Sequence, residues 1–137
     1  MQLLHPDLYA ARGDRVALFA QRCEACGHVA FPRQPYGCEK CGALGQRALE
    51  IDAAGALASF ATVHLHQSKS IAAPFVIGEI ALDAGPMIRI TLAEASDAGL
   101  RIGARMRGRL ADAPPKEGSD GPAAAMSELR FEVDDAR

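Results

Sequence analysis

The sequence contains no tryptophan and few aromatic residues of any kind. Two tyrosines and five phenylalanines make up 5% of its 137 residues, so it offers few side chains on which nucleic-acid bases could stack. Its net charge is also small, because 15 basic residues are balanced by 17 acidic ones, which gives −2 at pH 7. A basic surface for nucleic acid or anionic membrane usually requires a clear positive excess. The composition therefore argues against both of these partners.

Long hydrophobic runs are absent as well. The apolar stretches at residues 71–77 and 123–126 are far shorter than the roughly 20 residues that a helix needs to cross a bilayer. The first residues show neither the basic region nor the apolar region of a secretory signal. We therefore expect a cytoplasmic protein, in which thiols stay reduced. With 49% hydrophobic and 23% charged residues, the chain has the composition of one folded domain or two very small ones.

The four cysteines form two Cys-x2-Cys pairs, Cys23 with Cys26 and Cys38 with Cys41. A glycine follows each pair, and glycine tolerates the left-handed backbone that such a turn often requires. Two pairs of this kind can surround one ion with four thiolates, and zinc is the commonest ion in such a site. We therefore predict one structural zinc ion whose four protein ligands leave no open position for substrate.

Other uses of the four cysteines are less favoured. Iron also suits a cage of four thiolates, and it would make the chain a coloured electron-transfer protein. Two disulfides would require an oxidising compartment. A thioredoxin-like redox site would need one Cys-x2-Cys pair at a strand-to-helix junction. His28 follows Cys26 closely, but we expect it at the surface because four cysteines already complete the site.

The rest of the sequence predicts a mainly β protein. We expect a short helix over residues 5–15, beginning at Pro6 and Asp7 and ending near Gly13. Three strands should surround the cysteines: a lead-in strand at 16–22, a short strand around Val29 and Phe31, and a returning strand near 43–49. Five more strands are predicted at 57–66, 75–82, 87–92, 105–110 and 129–133, the second and third of them forming a hairpin. Residues 112–125, rich in proline, glycine and alanine, are predicted to be a mobile loop.

These elements predict three parts of the chain. Residues 1–22 would be an N-terminal helical segment with its lead-in strand, residues 23–46 a zinc ribbon, and residues 47–137 a five-stranded barrel of the OB type. Closing the sheet into a barrel would remove its exposed edges. A small sandwich is the other architecture that five strands allow.

Several stretches resemble a known family. They are residues 22–27, 31–33 and 38–42 in the ribbon, and 55–63, 73–85 and 100–106 in the barrel. Together with the order of the parts, they resemble the family in which a rubredoxin-like zinc ribbon precedes an OB barrel, long filed as a domain of unknown function. Members are accessory subunits of thiolase-like enzymes that act on acyl-CoA thioesters. The resemblance implies a non-catalytic subunit in a hetero-oligomer, with the catalytic cysteine and histidine in its thiolase-like partner.

The residues themselves show no catalytic set. Every cysteine is assigned to the metal, and no serine lies in a nucleophile elbow. His64 and His66 would share one side of a strand, where such pairs are more often solvated than metal-binding. We therefore expect a protein that is not itself an enzyme. The alternative function is an OB-fold module that binds single-stranded nucleic acid and carries a structural zinc.

Two surfaces are candidates for binding. Four arginines follow one another with no acidic residue between them: Arg101, Arg105, Arg107 and Arg109. The last three alternate, so they should share one strand face and could bind the phosphates of an acyl-CoA, contact an acidic patch of the partner, or remain solvated. A second group consists of Phe31, Pro32, Pro35 and Tyr36. These residues suit either a docking surface or packing between ribbon and barrel.

Overall fold

A computed structural model describes residues 2–65, 73–113 and 126–135. Within them the chain forms nine strands and no helix. The strands are β1 Tyr9–Arg12, β2 Arg15–Cys23, β3 Val29–Ala30, β4 Gln46–Asp52, β5 Ala54–Val63, β6 Phe75–Leu82, β7 Met87–Thr91, β8 Arg105–Asp112 and β9 Ser127–Val133. The mainly β fold is therefore as predicted.

The first sheet is organised around β2, which pairs antiparallel with β1, β3 and β4. Val16, Leu18 and Ala20 of β2 are buried on one face. Strand β4 runs beside β2 along most of its length, from Ala17 opposite Asp52 to Cys23 opposite Gln46. The first cysteine thus lies at the end of a strand that has neighbours on both sides.

The predicted N-terminal helix is wrong. The N–H of Leu8 donates to the carbonyl oxygen of His5 at 3.0 Å, so the chain makes a turn where the helix should begin, but it then continues as β1. Strand β1 forms a hairpin with β2 in which Arg12 lies opposite Arg15, and Gly13 in the tight connection has φ 64°. The buried strand β2 gains a hydrogen-bonded neighbour in this way, and Tyr9 becomes 97% buried, since only 3% of it stays exposed.

The second sheet has the strand order β7-β6-β5-β8-β9, with antiparallel neighbours throughout. A parallel bridge between Leu92, just after β7, and Phe131 of β9 connects its two edges. The sheet therefore curls around a core that includes the fully buried Phe131, Leu57, Ile80 and Met106. The predicted bounds 75–82 agree with β6, and β6 and β7 form the predicted hairpin.

The two sheets are continuous at Ala53, the single residue between β4 and β5. Its N–H donates to Val16 in the first sheet at 2.9 Å, and its carbonyl oxygen accepts from Gly108 in the second at 2.7 Å. Ala53 is buried, and apolar residues of both sheets pack in one core. The sheet that carries the first cysteine is thereby joined to the second sheet through a shared core. Residues 114–125 of the predicted mobile loop lie outside the described residues.

Candidate metal centre

The fold brings the four cysteines together. Their Sγ atoms all lie within 4.8 Å of one another, with Cys23 and Cys41 3.6 Å apart and Cys26 and Cys38 3.7 Å apart. A zinc ion at the centre of a regular tetrahedron, with zinc–sulfur distances of about 2.3 Å, places its sulfur atoms about 3.8 Å apart. The cluster therefore has the dimensions of a site for one ion.

The two cysteine turns, here called knuckles, share one backbone geometry. In the first, the N–H of Gly27 donates to the carbonyl oxygen of Cys23, and in the second that of Gly42 donates to Cys38, both at 2.9 Å. Gly27 and Gly42 have φ angles of 79° and 81°, in the left-handed region where a side chain would be strained. The glycine after each pair is thus required by the turn, as the sequence predicts.

The electrostatics of the cluster favour a cation. The N–H of Cys26 lies 3.5 Å from the sulfur of Cys23 and is the main reason that the pKa of Cys23 falls to about 6. The N–H of Cys41 likewise lowers the pKa of Cys38. For Cys41 itself, the lowering by the N–H of Ala43 is outweighed by the contacts with Cys23 and Cys26, and its pKa rises to about 11. Four thiolates can therefore coexist here only around a positive ion.

The surroundings agree with a structural role for the ion. Cys23 and Cys38 are buried, whereas Cys26 and Cys41 are exposed. The Nε2 atom of His28 lies 2.7 Å from a carboxylate oxygen of Glu39, so this histidine connects the two knuckles. Across residues 2–65, 73–113 and 126–135, the four cysteines are the only group of three or more candidate metal ligands. Zn²⁺ held by them would cross-link the loop after β2 to the loop before β4.

Of the four arginines singled out by sequence, the three that lie on β8 have carboxylate partners. Arg105 makes two contacts with Asp83, at 2.9 and 2.6 Å, whereas Arg107 and Arg109 share Glu132, at 3.0 and 3.3 Å. All three are exposed on one strand face. Arg101 is exposed in the turn before β8 and has no carboxylate within 4.0 Å in the described part of the chain. A phosphate bound at β8 would thus compete with carboxylates already in place.

The candidate docking residues divide into two environments. Phe31 is half-buried and packs against the core, whereas Pro32, Pro35 and Tyr36 are exposed, Tyr36 to 87%. Leu44, exposed to 83%, was missed because the sequence places it in the returning strand, which in fact begins at Gln46.

Tyr36 and Leu44 lie close to the second knuckle. Tyr36 precedes Gly37 in the chain, and a Cβ added at Gly37 would lie 3.3 Å from the Leu44 side chain. These two exposed apolar side chains, one on either side of Cys38 and Cys41 in the sequence, are called here the apolar surface of Tyr36 and Leu44.

The histidines show no catalytic arrangement in the described residues. The ring of His5 contacts Tyr9 edge-on, at 6.4 Å between centroids. His64 is exposed just after β5, and His66, its predicted neighbour, lies outside the described residues. As for membranes, no helix in the described residues is long and apolar enough to span one.

Comparison with known proteins gives the metal centre its context. Residues 11–45 match the family model described as "ChsH2, rubredoxin-like zinc ribbon domain". A solved structure described as the "Ltp2-ChsH2(DUF35) aldolase" has a similar fold, with a TM-score of 0.62, 22% identity, and coverage of 82% of this chain and 83% of that one. No curated protein sequence matches the chain. Residues 11–45 thus correspond to a rubredoxin-like zinc ribbon whose four cysteines hold one structural zinc, which confirms the predicted cofactor and the resemblance to the zinc-ribbon plus OB-fold family.

Proposed function

We propose that this chain is a non-catalytic accessory subunit of a cytoplasmic, thiolase-like enzyme complex that condenses or cleaves acyl-CoA thioesters. The observation that carries the proposal is the use of the cysteines. All four in the sequence converge on one metal cluster, so no thiol remains to act as the cysteine nucleophile of a thiolase-like reaction. The reactive groups would then belong to the partner.

The comparisons support a role within a complex. The similar solved structure is described by two component names, Ltp2 and ChsH2, and the matching family model carries the second of them. We infer that this chain occupies the place of that second component beside a catalytic chain. The likeness is one of fold, so the thiolase-like character of the partner rests on the resemblance of the sequence stretches.

The architecture of the second sheet suits this assignment. We propose that it is an OB-type barrel, supported by its strand order and by the Leu92–Phe131 bridge between its edges. We likewise propose that residues 1–22 are the lead-in, residues 23–46 the ribbon and residues 47–137 the barrel. The exposed surface of Tyr36 and Leu44 would contact the partner, since exposed aromatic and aliphatic groups are common interface anchors.

A role in binding single-stranded nucleic acid has less support. An OB barrel that binds nucleic acid combines a positive groove with aromatic stacking platforms. Here the arginines of β8 are paired with carboxylates. The strongly exposed aromatic residue among the described residues is Tyr36, and it lies on the ribbon rather than on the second sheet. Because of these ion pairs, a CoA phosphate could bind Arg105, Arg107 or Arg109 only by displacing a carboxylate.

Co-purification tests the proposal. The tagged, zinc-loaded chain, recovered from its native cell, should bring down a thiolase-like protein in a stable hetero-oligomer. The partner should turn over acyl-CoA thioesters faster with this chain than without it, and this chain alone should show no turnover. Recovery of no such partner, or thioester turnover by this chain alone, would refute the proposal.

A further inference from the structure

Arg22 and Arg47 lie directly opposite each other on β2 and β4, and both side chains are exposed. Residues that face each other across an antiparallel pair have Cβ atoms about 4.5–5.5 Å apart and project from the same face of the sheet. Like charges in this arrangement destabilise the pairing. The register of the first sheet therefore places two arginine side chains next to each other on one face, where their like charges do not stabilise the pairing of the strands.

This arrangement differs from that of the other strand arginines. Each of these has a carboxylate oxygen within 4.0 Å: Arg12, Arg15, Arg89, Arg105, Arg107, Arg109 and Arg130. In the same sheet, Arg12 contacts Glu50 and Arg15 contacts Asp52. Arg22 and Arg47 have no carboxylate at that distance among the residues that the structure describes. The two exceptions to the pattern are thus each other's neighbours.

A cavity opens where the two arginines meet. It has a volume of about 570 Å³ and is lined by Arg22, Arg47 and the residues of the first knuckle. The guanidinium of Arg22 lies against Gly27, with Nη2 3.5 Å from the place that a Cβ would take there. Glu24 also lines the cavity, but its carboxylate lies beside Gly45, with Oε2 3.6 Å from the corresponding Cβ position. Two positive groups therefore face one recess, and the carboxylate in its lining pairs with neither.

We propose that Arg22 and Arg47 bind a phosphate group in this cavity. Each guanidinium presents a planar fork of N–H donors that matches two oxygens of an oxyanion. A phosphate monoester has three terminal oxygens and close to two negative charges, so it can accept from both forks at once. A single carboxylate can bridge two arginines, as Glu132 does, but it has only two oxygens and one negative charge, so it offers the pair fewer acceptors and less charge than a phosphate. The inference stands apart from the proposed function, since it concerns the ribbon's own charge pattern.

The site differs from the arginines of β8 in a way that matters for binding. At β8 an incoming phosphate must displace Asp83 or Glu132 from its arginine. Between Arg22 and Arg47 it would have no carboxylate to displace among the residues that the structure describes, and it would reduce the repulsion between the two guanidinium groups. The phosphate could be free or part of an ester, and both forms would present the same oxygens to the two guanidinium groups.

The test is a titration of the zinc-loaded full chain with inorganic phosphate and, separately, with adenosine 3′-monophosphate. Binding is measured by calorimetry and by the arginine Nε–H signals in NMR spectra. We expect saturable binding that weakens with added salt and shifts the signals of Arg22 and Arg47. Arg22→Gln and Arg47→Gln should each weaken binding at least about tenfold. Tighter binding of the nucleotide would identify an ester as the ligand, and tighter binding of inorganic phosphate would identify the free anion.

The matched controls are Arg12→Gln and Arg89→Gln, which remove exposed strand arginines that have carboxylate partners. They should change the dissociation constant less than twofold, and zinc content should be one per chain in every variant compared. The proposal is overturned if neither phosphate binds saturably, or if Arg22→Gln and Arg47→Gln leave binding unchanged.

Two further outcomes would assign the arginines a different role and so overturn the proposal. If the wild-type chain fails to bind phosphate while Arg22→Gln and Arg47→Gln speed the loss of zinc to a chelator, the pair balances the negative charge of the tetrathiolate cluster. If phosphate fails to bind but both variants release a protein partner, the pair recognises carboxylates on that partner.

Discussion

The Sγ atoms of Cys23 and Cys41 lie 3.6 Å apart although they belong to different knuckles. One ion between them therefore ties the end of β2 to the loop that precedes β4. Removal of zinc by a strong chelator should disorder residues 23–45, because metal binding contributes on the order of 10 kcal/mol to the folding of a small zinc module. Elemental analysis should find one zinc per chain, and backbone NMR signals from these residues should collapse on chelation.

The remainder of the chain provides the internal control for this prediction. The buried residues of the core around Phe131 and Met106, which both sheets share, lie outside residues 23–45, so the signals of the second sheet should persist after the ribbon has lost its metal. An unchanged spectrum of the whole chain after complete zinc removal would contradict the structural role of the ion.

Phe131 is fully buried and forms the bridge to Leu92 that connects the sheet edges. Phe131→Ala should lower the free energy of unfolding by about 3–5 kcal/mol, because it removes a large apolar group and leaves a cavity. Tyr36→Ala is the matched control, since Tyr36 is 87% exposed and its removal should change stability by less than about 0.5 kcal/mol. Urea unfolding of both variants measures the difference, and equal effects would argue against the central position of Phe131.

Gly55 lies where β5 contacts both β6 and β8, opposite Leu82 and Met106. A Cβ added there would be 2.3 Å from the carbonyl oxygen of Ala81, and backbone cannot move aside cheaply. Gly55→Ala should therefore destabilise the fold by about 1–3 kcal/mol. The control is Gly99→Ala, where nothing lies within 4 Å and stability should stay equal or rise slightly. The melting temperatures of the two variants measure the difference. A Gly55→Ala variant as stable as the wild type would contradict the close approach of Gly55 to the backbone of Ala81.

Much of this fold and of its metal site is visible in local sequence. The spacing of the cysteines and the glycine after each pair specify both knuckles, because each knuckle is a short-range structure that four or five residues complete. Strand β6 was located correctly because alternating apolar residues are bounded by Pro74 and by the turn that contains Gly85. Where a pattern and its limits lie within about ten residues, the sequence predicted the element.

The errors concern features that depend on distant residues. The structure has a turn at His5, where the predicted helix should begin. The chain after this turn does not continue as a helix, because Tyr9–Arg12 pairs with the distant strand β2. The sequence does not single out Arg22 and Arg47, because neither is unusual alone and only the register of β2 against β4 makes them neighbours. The sequence predicts Leu44 as part of a strand because a short apolar run does not show where pairing starts, whereas β4 begins at Gln46.

The ion pair of Asp83 and Arg105 predicts a small pH dependence of stability. The hydrogen bonds from Arg105 lower the pKa of Asp83, so the pair stabilises the fold above the carboxyl's ordinary pKa. That contribution is lost as the pH falls through the lowered value in the folded state. Both side chains are more than half exposed, which limits the effect to about 0.2–1 kcal/mol. Asp83→Asn should thus reduce stability at pH 7 and have almost no effect at a pH well below the lowered pKa of Asp83.

A double-mutant cycle isolates that interaction. Asp83→Asn, Arg105→Gln and the double variant should show a coupling energy at pH 7 that disappears in acid and shrinks in high salt. A coupling that is equal at both pH values would show that the carboxylate charge is not its source.

The last prediction concerns the apolar surface of Tyr36 and Leu44. If it contacts the proposed partner, Leu44→Ala should weaken the complex by about tenfold or more, as truncation of an interface anchor does. Leu65→Ala is the matched control, because Leu65 is also a leucine, is 92% exposed, and lies after β5 rather than on the ribbon. Surface plasmon resonance with the co-purified partner measures both variants, and their melting temperatures should equal that of the wild type. Each of these exposed side chains can be removed without disturbing the fold, so a change in affinity reports on the interface. If Leu65→Ala lowers the affinity equally, or if Leu44→Ala and Tyr36→Ala leave it unchanged, the interface lies elsewhere.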